Sequence, residues 1–353
     1  GTADGRVALV NIPAEFGVTL PVVFDGLTLR FGNVAGNGGG LAVLEGSVVV
    51  RDCVVAGNAA TGAGGGLFCM SGENASLAVE GTTVSGNSAG GAGGGAIRAV
   101  CTNSAFADNA ASHGGGAAYS VLSECTVVGN TAVQQGGGLY GGSADRCRVI
   151  GNDSLYGGGA AGAALVNALV VSNTASQSGG GLYLGALTNG TVVGNSAATA
   201  GGGICGGAAV NALFDGNTAP LGGDYDAGAL LAYCRAEPLA PGAGNLAAPP
   251  LFRDAAAGDY RLTPNSLCID AGLTAAAPPG TDLTGALRVQ GIAVDIGAYE
   301  QTPVQRVATP VVTPPSGTEF EETLEVTITC ATPAAAVRYT LDGTDPTDAD
   351  TLY

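Results

Sequence analysis

The chain has 353 residues, 46% of them hydrophobic, with 62 glycines and a formal charge of −17 from 29 carboxylates against 12 basic side chains, all arginine. Glycine without a strict period of three excludes a collagen-like chain, and the apolar content excludes a disordered linker. The negative charge disfavours a nucleic-acid partner or an anionic membrane surface, and no apolar run approaches the roughly 20 residues of a membrane span.

Membrane attachment is therefore expected only through an anchor outside this chain. The opening "GTADGRVALV" fits a chain whose secretion signal was removed, or a piece of a longer protein, and the acidic, lysine-free composition suits an extracellular or cell-surface setting.

Residues 1–219 are organised by a repeat. The phrase "GNTAVQQGGGLY" at 129–140 returns as "GNSAATAGGGIC" at 194–205, and the recurring asparagine falls at Asn58, Asn87, Asn109, Asn130, Asn152, Asn173, Asn195 and Asn217. The steps are 29, 22, 21, 22, 21, 22 and 22, the period of a solenoid, with one seven-residue insertion near "MSGENAS". Three places before each asparagine stands Val or Phe, and two places after it Ala or Ser, as expected when identical coils stack like on like. Each repeat holds apolar alternations of three to five residues, too short for helices, so the expected fold is all-β: a right-handed parallel β-helix of about 22 residues per rung. The asparagines are expected to form a buried side-chain ladder at one corner, and the glycine runs to mark another corner where φ is positive or rungs touch closely. The column six places before the asparagine carries Asn103, Asn167, Asn189 and Asn211 with Asp52, Glu124 and Arg146, and reads as a second polar stack with a Glu124–Arg146 surface ion pair.

Residues 22–300 resemble known surface proteins. "FADN" at 106–109, "GGAI" at 94–97 and "LFDGN" at 213–217 resemble the FxxN and GGA[ILV] repeats of polymorphic outer-membrane proteins and related bacterial surface β-helix proteins. Within 220–300, "GAGNLAAPPLF", "GDYRLTPNSLCIDAG" and "DLTGALRVQGIAVDIGAYE" resemble the closing segment of secreted β-helix proteins with a varied C-terminal anchor. A Pro/Thr-rich linker follows at 301–317, and 318–353 alternates apolar and polar residues like an antiparallel sandwich. Through "AAAVRYTLDGTDPT" that last stretch resembles the C-terminal β-sandwich module of chitobiase-like carbohydrate-active enzymes, and the chain is expected to stop inside the module.

The titratable residues do not gather into a catalytic set. A lyase wants a Lys or Arg base beside acids and a hydrolase wants two carboxylates ~5–9.5 Å apart, whereas the carboxylates here scatter over the repeat columns and the single histidine, His113, sits at a corner. No enzyme activity and no cofactor are expected. Weak calcium candidates are the acidic turns containing Asp224 and Asp226, and Asp342 and Asp345. Phe68, Tyr140 and Tyr183 share one place after their glycine runs, with Tyr119 one place later, and are candidates for a glycan platform or a protein interface. The nine cysteines form no CxxC; Cys125 and Cys147, one rung apart, are expected to stay thiols, and Cys234 with Cys268 is the candidate disulfide.

One function leads at this point, and a second is its alternative. The first is a non-enzymatic structural or adhesive surface protein that self-associates, even into a filament through its exposed ends, or meets a host glycan or protein. The second is a carbohydrate-active protein, lyase, hydrolase or glycan binder, built on a β-helix. An ice-binding array is excluded, because the column after the asparagine is too mixed for a Thr-x-Thr face.

Overall fold

The computed structural model describes residues 5–12, 20–302, 310–315, 317–319, 323–332, 335–344, 346–347 and 349–353. The chain divides into two units, Gly1–Thr302 and Pro303–Tyr353.

The first unit is a parallel β-helix. One rung runs through four short strand segments, for instance Ala96–Ile97, Val100–Thr102, Ala105–Ala107 and Ala110–His113. Each pairs in parallel with its counterpart on the next rung, as Val100–Thr102 does with Val121–Ser123 and Ala105–Ala107 with Thr126–Val128. Stacked over the rungs, these segments form an eighteen-stranded sheet bent into two strips, a nine-stranded sheet and an eight-stranded sheet.

The alternation in sequence sets which side chains enter the interior. In the nine-stranded sheet the middle residue of each strand points inward, and Val55, Val84, Phe106, Val127, Val149, Val170, Val192 and Phe214 are all 0% exposed. Across the interior they meet Cys101, Leu122, Leu165 and Leu187 from the second strip of the bent sheet. The insertion expected near residue 70 is a turn between the strands Leu67–Cys69 and Ala75–Glu80.

Each corner has its own backbone chemistry. The column read as a second polar stack is a left-handed turn: Asp52, Asn103, Glu124, Arg146, Asn167, Asn189 and Asn211 all have φ between 48° and 56°. Asparagine tolerates that conformation better than most residues, which explains its frequency in the column. At the glycine corner the first residue of each run takes positive φ, as Gly157 does at 66°. The second is held by contact instead, and a Cβ on Gly158 would lie 2.2 Å from the Thr174 carbonyl oxygen.

The rungs do not end at 219. Leu230–Ala232 pairs with Ala208–Val210, and Arg235 bridges to both Leu213 and Leu246, so coiling continues into the stretch read as the closing segment. The repeat phrase is altered there: Gly222 keeps the positive φ of the glycine corner at 70°, Asp224 stands in the place of the third glycine, and Tyr225 keeps the pairing with Ile204. The remainder folds back over the nine-stranded sheet: the Ala298 N–H donates to the Thr191 hydroxyl, and Leu213, Leu262, Cys268 and Ile296 form a second buried cluster.

In the second unit, described by itself, Val311–Thr313 pairs antiparallel with Thr327–Thr329, and Arg338–Tyr339 with Thr351–Leu352. Tyr339 and Tyr353 meet edge to face at 6.4 Å.

Candidate functional site

The asparagine ladder forms as the repeat predicts, and it is structural. Asn58, Asn87, Asn109, Asn130, Asn152, Asn173 and Asn195 are at most 1% exposed and Asn217 7%. Each side-chain N–H donates to the side-chain oxygen one rung on, as Asn152 to Asn173 at 2.9 Å, and to a backbone carbonyl one rung back, as Asn152 to Val127 at 3.0 Å. The same oxygen also accepts the backbone N–H of the preceding asparagine, so little hydrogen-bonding capacity is left over. The ladder ends on an aspartate that the sequence repeat did not identify: Asp224 accepts from the Asn217 side chain at 2.9 Å and, through its other oxygen, from the Glu237 N–H at 2.9 Å.

That placement commits the weak calcium candidates of the turn to protein donors. Asp224 is 3% exposed, bonded within the ladder and 3.7 Å from Arg235, while Asp226 accepts the Gly206 N–H at 2.7 Å. Both carboxylates are engaged by protein donors because the turn completes a rung. Asp342 accepts the Thr344 N–H and hydroxyl within its own turn, and Asp345 lies outside the described residues. Among the described residues no three metal-binding side chains converge.

The disulfide expectation is corrected. Cys234 and Cys268 are free, buried thiols. Cys234 points its sulfur at the carbonyls of Ala209 and Ala232 inside the helix, whereas Cys268 packs with Leu262 and Ile296 under the closing segment. Burial pushes both thiols up, Cys234 to about 12 and Cys268 to about 11. Cys125 and Cys147 are free as well, the Cys125 N–H lying 3.4 Å from the Cys147 sulfur.

The aromatic candidates divide. Register places Phe68, Ile97, Ala118, Tyr140, Ala161 and Tyr183 in one column on the outer face of the first strip. Phe68 is 7% exposed and packs with Ala42, Ile97 and Ala118, so it belongs to the wall and not to a platform. Tyr140 and Tyr183 are half-buried, and Tyr119 is exposed at the bend beside them. Two residues that the sequence pattern did not place there join them. His113 comes from the eight-stranded sheet to lie 4.9 Å from the Tyr140 ring, and Tyr156 from the same sheet lies 5.0 Å from Tyr183. Tyr119 meets Tyr140 edge to face at 5.3 Å and carries the Arg98 guanidinium 5.8 Å from its ring centre. His113 and Tyr156 share a register column, since both pair with Gln135, and only that cross-rung pairing marks them as neighbours of the tyrosine column. The result is a stripe of five partly exposed rings: His113, Tyr119 and Tyr140 in one group, Tyr156 and Tyr183 in the next. Ala161 carries only a methyl between Tyr140 and Tyr183, which stand two rungs apart, about 9.6 Å.

A second feature lies on the nine-stranded sheet, where a polar cleft of about 280 Å³ opens between the rungs and the closing segment. Glu124, Thr126, Arg146 and Arg148 face Thr281 and Thr284 across it. The expected Glu124–Arg146 pair is present at 2.9 Å, and Arg146 also binds Asp145 at 2.5 Å.

Comparison with known proteins bears mainly on the second unit. Residues 314–353 match the chitobiase/beta-hexosaminidase C-terminal domain family. Among solved structures the chain is similar to the crystal structure of pectate lyase Pel9A, at 13% identity and a TM-score of 0.37, over 74% of this chain and 88% of that one. A search of curated proteins gives no match. The parallel pairing of the rungs itself shows the β-solenoid, and the family match covers the C-terminal residues 314–353.

Proposed function

We propose that the protein is an extracellular carbohydrate-binding β-helix whose ligand lies along the aromatic stripe. The observation that carries this reading is the grouping of His113, Tyr119, Tyr140, Tyr156 and Tyr183 on one outer face, part-exposed and fixed by the rung spacing. Partly exposed rings on a rigid face suit the apolar faces of sugar rings, and their hydroxyls suit the sugar's polar edge. Two tyrosines about two rungs apart are separated by roughly the length of a disaccharide, with the small Ala161 leaving room between them. The match of residues 314–353 to a module of carbohydrate-processing proteins supports the same partner class.

Binding is preferred to catalysis for a physical reason. The carboxyls pushed up by burial, Glu300 to about 7 and Asp295 to about 6, lie inside the closing segment at 8% and 0% exposure and accept backbone N–H groups. A polymer on the surface does not reach them. The exposed Glu124 and the half-buried Asp145 are both held by Arg146.

The test is a glycan array with the full chain, followed by titration of the best ligand. Tyr140→Ala and Tyr183→Ala are each expected to weaken binding by about 1 kcal/mol, roughly fivefold, with no new reducing ends released. Wild-type affinity in the double variant would remove the stripe as the binding surface, and release of reducing ends would replace binding by hydrolysis or lyase action.

A further inference from the structure

We infer that the cleft at the margin of the closing segment is a subsite for an acidic sugar, with Arg148 taking its carboxylate; this rests on the glycan-binding reading and names a ligand class for a second place on the same helix. The outward column of the nine-stranded sheet runs Thr126, Arg148, Leu169, Thr191, Leu213. The closing segment covers the last three, which are 1–2% exposed, and stops short of Arg148, which remains exposed. The cleft is therefore built by the edge of a packed segment, and its far wall is held firmly. Buried Asp282 accepts the backbone N–H groups of Thr284, Ala286 and Glu300.

The charges decide which ligand fits. Arg146 is committed to Glu124 and Asp145, whereas Arg148 has no carboxylate within 4 Å among the described residues. Tyr299, a 7%-exposed residue of the closing segment, lies near enough to Arg148 to feel its charge. Glu124 and Asp145 oppose Arg146, and the Asp282 carboxylate behind the far wall is turned to the N–H groups of Thr284, Ala286 and Glu300, so on a chain of charge −17 the charge left facing the cleft without an ion-pair partner is the Arg148 guanidinium. A carboxylate from outside pairs with Arg148 by charge-assisted hydrogen bonds. Around it stand groups for ring hydroxyls: the hydroxyls of Thr126 and Thr281, and the Glu124 oxygen that Arg146 leaves unbonded. A cavity of about 280 Å³ has room for one such sugar unit but not for a long bound segment.

Calorimetric titration of the full chain with a hexuronic-acid trimer, with the neutral hexose trimer of the same linkage, and with acetate tests this. The wild type is expected to prefer the acidic trimer; Arg148→Gln should weaken that binding about tenfold, Arg148→Lys less, and neither should alter neutral-trimer binding. An unchanged melting temperature keeps the comparison free of folding effects, and Arg148 is exposed enough to expect that. Equal binding of the acidic trimer by wild type and Arg148→Gln overturns the proposal, as does a wild type without acid preference. Acetate competing as well as the trimer reduces the cleft to a general anion site and also overturns it. The Tyr140→Ala, Tyr183→Ala double variant separates the two readings: loss of neutral-glycan binding with acid preference intact supports both, and acid preference with an inert stripe leaves the cleft standing while the stripe falls.

Discussion

The side chain of Asn152 makes bonds in three directions at once: to Asn173, to the Val127 carbonyl, and through its oxygen to the Asn130 N–H and side chain. Truncation therefore strands buried groups on both neighbouring rungs, and a buried group left without a partner costs about 1–3 kcal/mol. Asn152→Ala or Asn173→Ala is expected to destabilise by about that amount in urea unfolding, where an unchanged midpoint contradicts the ladder's role. Asn167, Asn189 and Asn211 differ in kind: they are chosen first by a left-handed backbone, with φ of 49–51°, and only then by the bonds among their side chains. A repeated asparagine thus reports two different physical demands in one rung.

At the scale of elements, the closing segment is the part with unusual electrostatics. It buries Arg288 at 2% exposure together with Asp282, Asp295 and Glu300. Arg288 donates to the carbonyls of Asp295 and Gly297 and lies 3.8 Å from Glu300. Burial raises Asp295 to about 6, and burial together with the charge of Asp295 raises Glu300 to about 7. A carboxyl whose folded pKa lies above its unfolded value holds its proton better when folded, so its contribution to stability is full below about pH 4 and is lost as pH rises through about 6–7. The segment is therefore expected to be more stable at about pH 5 than at about pH 8, the reverse of a salt-bridged carboxylate. Glu300→Gln should reduce that slope in thermal melts across the range, leaving the share of Asp295, and an undiminished slope in this variant contradicts the role of Glu300. The depressed Asp259, at about 2 beside Arg261, acts in the opposite sense but at lower pH.

Over the whole molecule, stability is nearly one-dimensional, because each rung packs against its two neighbours along most of the helix. A local fault should therefore spread along the axis before it spreads around a rung. Gly158→Ala sets a methyl against the carbonyls of Thr174 at 2.2 Å and Gly180 at 2.6 Å, both on the next rung. Overpacking of this kind costs about 1–3 kcal/mol. Hydrogen exchange in this variant is expected to accelerate first in the strands at 153–183, with the rungs around 54–85 protected as before. Uniform acceleration over the whole first unit would mean that the helix opens as one body.

The β-helix, its rung length, its insertion and its buried asparagine ladder were legible in the sequence because a stacked repeat places each residue beside its own copy one period away, so spacing alone states the contact. What lay outside the period could not be read that way. Asp224 ends the ladder only because its turn returns to the asparagine corner seven residues after Asn217. His113 and Tyr156 reach the tyrosine column from another sheet, and Phe68, though in that column, is covered by its neighbours. Cys234 and Cys268 are kept apart because one faces the helix interior and the other the layer packed outside it. The cleft at Arg148 exists because residues 281–300 fold back over rungs more than a hundred positions earlier, with Ala298 bonded to Thr191. Periodicity fixes neighbours along the axis; side-by-side packing of non-repeating chain is decided only by the tertiary structure.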